Sequence, residues 1–206
     1  MPSEINSDYP HNAQPPEITP SDQYQEGYDN YMEIQQLKKA KQEAEKKVFI
    51  DALTGCYNQD AWIDFQKHFD SLRGDKTTVI LIDLNGFKAI NDTLGHLAGD
   101  DHLKSVSAYL KETFSRKGDR VFRIGGDEFA IACNFIEPDK REEFNSFVDS
   151  CFNHETLDQK KLDFSYGIAF SKSKEPIKDT IKRADETMYK DKEEWKNQHP
   201  DRYPKR

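Results

Sequence analysis

The stretch RVFRIGGDEFAIAC, residues 120–133, decides how the chain folds. Its flanks, Arg120 to Ile124 and Phe129 to Cys133, are rich in the β-branched and aromatic residues that favour strands. A Gly125-Gly126 pair between such runs predicts a tight hairpin turn, because glycine tolerates the positive φ of primed turns. Two adjacent carboxylates follow, Asp127 and Glu128. Like charges repel, and neither acid favours a strand. The pair therefore reads either as a solvated acidic turn or as a seat for a hard cation such as Mg2+, which takes oxygen ligands and bridges to phosphates.

Upstream, the run TTVILI at 77–82 is apolar and β-branched, and Asp83 closes it. A continuous apolar run predicts a strand buried on both faces in the middle of a sheet. An Asp at its end is expected to be exposed at the sheet edge, where open sheets place ligands; a plain loop Asp is the alternative. If this strand neighbours the hairpin, Asp83, Asp127 and Glu128 converge. Such a cluster suits one or two Mg2+ ions in phosphoryl or nucleotidyl transfer.

Helical patterns alternate with these strands. Residues 59–73 carry Trp62, Phe65 and Phe69 on one face, with Gly74 beyond. A short helix spans about 87–94. A longer one follows, with Leu103, Val106, Leu110 and Phe114 as its buried stripe. Residues 138–153 form a further helix showing Phe144, Phe147 and Val148, residues 162–170 a strand, and residues 177–195 a last helix. The interleaving predicts an α+β fold, an antiparallel-containing sheet with helices mainly on one face.

Residues 1–20 are rich in Pro, Asn, Ser and acids, and read as a disordered tail. Residues 21–50 read as a helical segment in which Ile34, Leu37, Ala44 and Val48 keep a loose heptad spacing. It is either a helix packed lightly on the domain or a weak dimerisation helix. A catalytic domain over 51–198 and a C-terminal tail over 199–206 complete the expected organisation.

The chain carries a net charge of −8, of which residues 1–46 hold −5, so neither part offers a basic nucleic-acid surface. No apolar stretch approaches the roughly 20 residues that span a bilayer, and the start, MPSEINSDYP, lacks the features of a signal peptide. The three cysteines, Cys56, Cys133 and Cys151, have no metal-ligand spacing and an odd count, and read as buried, reduced thiols in a cytoplasmic protein.

Six motifs stand in order: DALTGCYN at 51–58, DLNGFKAINDTLGHLAGD at 83–100, RKGD at 116–119, RIGGDEF at 123–129, SYGIA at 165–169 and ADETMYKDK at 184–192. Together they resemble the GGDEF family of diguanylate cyclases over about 150 of the 206 residues. The resemblance implies the ferredoxin-like palm of the nucleotidyl cyclases. It implies condensation of two GTP into cyclic di-GMP and two pyrophosphates, with Mg2+ or Mn2+, in a homodimer whose two sites face each other. By that resemblance the metal ligands are Asp83, the Leu84 carbonyl and Asp127, with Glu128 beside them; whether Asp127 also acts as base stays open, since an acid on a metal remains ionised.

The resemblance further makes Asn91 and Asp100 the guanine readers, where residues alone suggest a helix cap and a first-turn acid. It puts His96 near phosphate or ribose. By the same resemblance Phe87 and Lys88 correspond to a turn that wraps the phosphates with backbone N–H groups, eased by Gly86. Lys192 and Lys196, one turn apart, are either triphosphate contacts or a solvated basic face. Arg116 and Asp119 match a product-inhibition motif; a loop salt bridge is the alternative. Three positions depart from the family pattern: Gln59 for Arg, Asn85 for a frequent Asp, and Gly86 for a bulky residue. The competing functions are a catalytically weak cyclic di-GMP-binding module and an interaction scaffold acting through residues 1–50.

Overall fold

The computed structural model describes residues 20–71, 77–134, 136–152 and 162–199. Its helices are α1 (Pro20–Val48), α2 (Gln59–Ser71), α3 (Phe87–Leu94), α4 (His96–Thr113), α5 (Arg141–Phe152, entered through a 3-10 turn at Pro138–Lys140) and α6 (Ile177–Gln198). Its strands are β1 (Thr77–Leu84), β2 (Arg120–Arg123), β3 (Glu128–Asn134) and β4 (Phe164–Phe170). The expected tail at 1–20 falls, up to residue 19, outside the described residues, as do the end of the 59–73 helix after Ser71 and residues 200–206. The chain divides into two units, Met1–Glu45 and Lys46–Arg206.

In the larger unit the strands form one sheet of order β2-β3-β1-β4, antiparallel at every pairing. β1 is interior and buried along its whole length, as its unbroken apolar run requires. Alternate residues of a strand face opposite sides. Ile80, Ile82 and Leu84 meet Leu103, Val106, Leu110, Phe144, Val148 and Phe152 in one core. Val79 and Leu81 meet Trp62, Phe69, Ile177 and Ala184 in a second. The helices thus cover both faces, not mainly one. The reason lies in β1 itself, since a strand apolar at successive positions needs cover on both sides.

The hairpin is also wider than a two-residue turn. Pairing ends at Arg123 and Phe129, and the N–H groups of Ile124 and Gly125 both donate to the Glu128 carbonyl, at 2.9 and 3.3 Å. Neither Gly125 nor Gly126 has positive φ. Gly125 is small for another reason: a Cβ there would run into the Glu128 carboxylate, which folds back over it.

The register sets up the functional end of the sheet. Asp83 stands opposite Glu128 on one side and Ser165 on the other. In the smaller unit α1 exposes Tyr24, Tyr28, Tyr31, Ile34 and Leu37. Among the described residues no helix is long and apolar enough to cross a membrane.

Candidate active site

Asp83 is not exposed, as a strand-end Asp was expected to be, but only 4% accessible, because β3 and β4 flank it on both sides. Its Oδ2 accepts a 2.6 Å hydrogen bond from Lys192 Nζ, which reaches in from α6. Its Oδ1 is buried and has no hydrogen-bond partner among the described residues. Burial pushes the Asp83 carboxyl up, Lys192 pulls it back, and the neighbouring Asp127 charge pushes it up again. A buried carboxylate oxygen without a protein partner is open to an ion or a water.

Asp127 sits at the hairpin tip, half-buried, and its carbonyl accepts from the Leu84 N–H at 3.0 Å, which ties the tip to the end of β1. Glu128 opens β3; partial burial of its carboxylate pushes it up, and the charges of Asp83 and Asp127 add to this. The three acids therefore feel one another. Among the described residues, however, no three His, Cys, Asp or Glu side chains are gathered tightly enough to hold a metal alone. The donor set that fits a hard cation is two carboxylates, Asp83 and Asp127, with a main-chain carbonyl as oxygen ligand.

The other expected residues lie on α3, α4 and α6. Gly86, at φ 70, turns the chain into α3, and that left-handed conformation explains glycine where the family often has a bulky residue. The N-terminus of α3 has no side-chain cap, so its N–H groups face outward beside Phe87 and the exposed Lys88. Asn91 is half-buried against Gly99, and a Cβ at Gly99 would overlap its Oδ1. Asp100, the next residue along α4, is also half-buried, while His96 is exposed in the first turn of that helix. Lys196 Nζ bonds Glu193 Oε1 at 2.7 Å, and its charge lowers the Asp83 carboxyl less than Lys192 does.

Arg116 and Asp119 lie away from these groups, on the loop before β2. Among the described residues they form no ion pair with each other. Instead the Arg116 guanidinium lies 5.7 Å from the centre of the Phe147 ring, and Asp119 Oδ1 accepts from the Asn134 N–H at 3.3 Å. A groove of about 460 Å³ runs beside Arg116, lined by Ile136, Lys140, Phe144 and Phe147 among others.

Two supports of the site were not expected. Arg123 donates from Nε and Nη2 to the Gly126 carbonyl, and from Nη1 to both oxygens of Asp51 at 3.3 Å. It clamps the hairpin loop to the segment before α2. Burial opposes ionisation of Asp51, but hydrogen bonds from Thr54 and the Arg123 charge hold its carboxyl below the usual range. Asp191 accepts from the Tyr166 N–H at 2.9 Å, which fixes α6 against β4 one residue before Lys192. Both residues stand within the quoted motifs, but their partners are too distant in sequence to pair by local rules.

The diguanylate cyclase GGDEF-domain family model matches residues 48–198. The probable diguanylate cyclase DgcJ of Escherichia coli is 31% identical over 155 residues, which cover 74% of this chain and 31% of that protein. Diguanylate cyclase VdcA of Vibrio cholerae is 27% identical over 168 residues, covering 78% of this chain and 49% of that protein. This chain thus spans less than half the length of either relative. The coiled coil and GGDEF domain of DgcB from Caulobacter crescentus, solved with cyclic di-GMP, shares the fold with a TM-score of 0.68 at 19% identity, over 82% of this chain and 94% of that one. Since the family match takes in the whole sheet and the helices on both of its faces, the chain belongs to the GGDEF-domain family of diguanylate cyclases.

Proposed function

We propose that this protein joins two GTP molecules into cyclic di-GMP and releases two pyrophosphates. In each half-reaction the 3′-hydroxyl oxygen of one GTP forms a bond to the α-phosphorus of the other. The bond to pyrophosphate breaks, and the hydroxyl proton departs. Charge builds on phosphate oxygens, so cationic and hydrogen-bonding groups provide most of the rate. The observation that carries this reading is Asp83: a buried carboxylate at the end of the central strand, one oxygen on Lys192 and the other without a partner among the described residues.

Asp83, the Leu84 carbonyl and Asp127 would hold Mg2+ or Mn2+, which supplies neutralisation of phosphate charge when bound. Lys192 has further N–H donors beyond the one on Asp83, and these serve the triphosphate. The uncapped N-terminus of α3, at Phe87 and Lys88, receives phosphate oxygens. Asn91 and Asp100 read guanine, a carboxylate accepting from its Watson–Crick N–H groups. His96 contacts phosphate or ribose, and Lys196 contributes positive charge from one turn further along α6. Glu128 keeps the site acidic beside Asp127.

Arg116 and Asp119 form a separate product site. The Arg116 guanidinium over the Phe147 ring supports stacking of a base, and Asp119 can accept from a ligand through the oxygen that does not hold the Asn134 N–H. The enzyme acts as a homodimer in the cytoplasm, since one domain offers a single set of guanine readers and the product holds two guanines. The test is incubation of pure protein with GTP and Mg2+, followed by chromatography for cyclic di-GMP. Its appearance with metal, and its loss when the metal is chelated, is the expected result.

A further inference from the structure

The peptide between Leu84 and Asn85 carries the carbonyl expected to bind metal. In a planar trans peptide the C=O and the following N–H point in opposite directions. The Asn85 N–H donates to the Asp163 carbonyl at 3.0 Å, on the β4 side. The Leu84 oxygen therefore points to the β3 side, where Asp127 sits and where the Leu84 N–H already donates to the Asp127 carbonyl. The direction of one backbone bond thus decides whether this oxygen faces the metal site.

The Asn85 side chain doubles that tether. Its Nδ2 donates to Asp163 Oδ1 at 3.0 Å, and its Oδ1 accepts from Ser165 Oγ at 3.1 Å. Asn85 is 3% exposed and Ser165 is fully buried, so water offers little substitute. An amide suits this place because it donates toward a carboxylate and accepts from a hydroxyl. A carboxylate at position 85 would face Asp163 with like charge and no proton to share. The departure from the family's frequent Asp is thus matched to the carboxylate at 163.

We infer that Asn85 is a positioning residue for the metal site: its paired bonds to Asp163 aim the Leu84 carbonyl at the position that Asp83 and Asp127 flank. This rests on the reading of that end of β1 as a metal site.

The test is titration of the purified, nucleotide-free chain with Mn2+ alone, read by electron paramagnetic resonance, at a temperature where circular dichroism shows each variant folded. Asn85→Asp should weaken Mn2+ binding about tenfold, the usual loss when a partner behind a metal ligand is removed. The exchange variant Asn85→Asp/Asp163→Asn restores a donor opposite an acceptor and should return to within about twofold of wild type. Should Asn85→Asp not fold, Asn85→Ala removes both side-chain bonds without adding charge and carries the same expected loss. Wild-type affinity in the folded single variant, or a double variant as weak as the single one, would overturn the inference. A wild-type chain with no saturable Mn2+ site would overturn the metal reading itself, and this inference with it.

Discussion

Gly99 has no side chain because Asn91 occupies the space where one would go. Gly99→Ala should therefore displace Asn91, the expected guanine reader, without touching the carboxylates around Asp83. The lost hydrogen bond corresponds to about 1.4 kcal/mol, so the KM for GTP should rise about tenfold while kcat changes less. Steady-state kinetics check this, and an unchanged KM would remove Asn91 from the nucleotide site. At this scale the residue types were legible in the sequence and their surroundings were not. Asp83 was recognisable as the acid closing an apolar strand. Its burial depends on β3 and β4, which arrive from later in the chain, and so does its bond to Lys192 on the last helix. The same distance hid the Arg123 link to Asp51 and the role of Asn85.

Where β4 hands over to α6, Glu175 and Arg183 form an ion pair, and Arg183 Nη2 also donates to the Phe170 carbonyl at 2.7 Å. The Arg183 hydrogen bond holds the Glu175 carboxyl down to about 2 from an ordinary 4.5. A carboxylate with a lowered folded pKa stabilises the fold fully above its unfolded value and loses that contribution as pH falls through the window between the two. Glu175→Gln should cost about 1–2 kcal/mol at neutral pH. Urea melts should show the gap from wild type narrowing below pH 4.5 toward 2. A gap that stays constant with pH would show that the ion pair contributes nothing. The loop before β2 yields a second test. Arg116→Ala should weaken cyclic di-GMP binding about tenfold, as for one exposed charged contact, and relieve product inhibition with basal turnover unchanged. Equal affinity in calorimetric titration would leave the groove without a product. Element types followed from periodicity, since apolar spacing records burial directly. The shape of the hairpin did not: two glycines signal a turn, yet here Gly125 yields space to Glu128 and adopts no positive φ. Nor did helix placement, because the pattern of α2 and α6 marks a buried face without saying which side of the sheet it meets.

The proposed reaction draws on two nucleotide sites facing each other, so specific activity should climb with protein concentration over the range in which sedimentation shows dimers forming. Constant activity in a monomeric sample would contradict the dimer. Removing residues 1–46 takes away the exposed Tyr24, Tyr28, Tyr31, Ile34 and Leu37 of α1 and should weaken dimerisation. The catalytic fold was legible as a whole because its motifs occur in one order along the chain, whereas the sequence pattern of α1 is too polar and too loosely spaced to name its partner. The most direct test of the account compares wild type with Asp127→Ala, both supplied with GTP and Mg2+, with circular dichroism showing the same fold. Cyclic di-GMP and pyrophosphate are then quantified by chromatography. The wild type should release two pyrophosphates for each cyclic di-GMP, and the variant should give no product. No product from the wild type, or undiminished product from the variant, would contradict the proposed function.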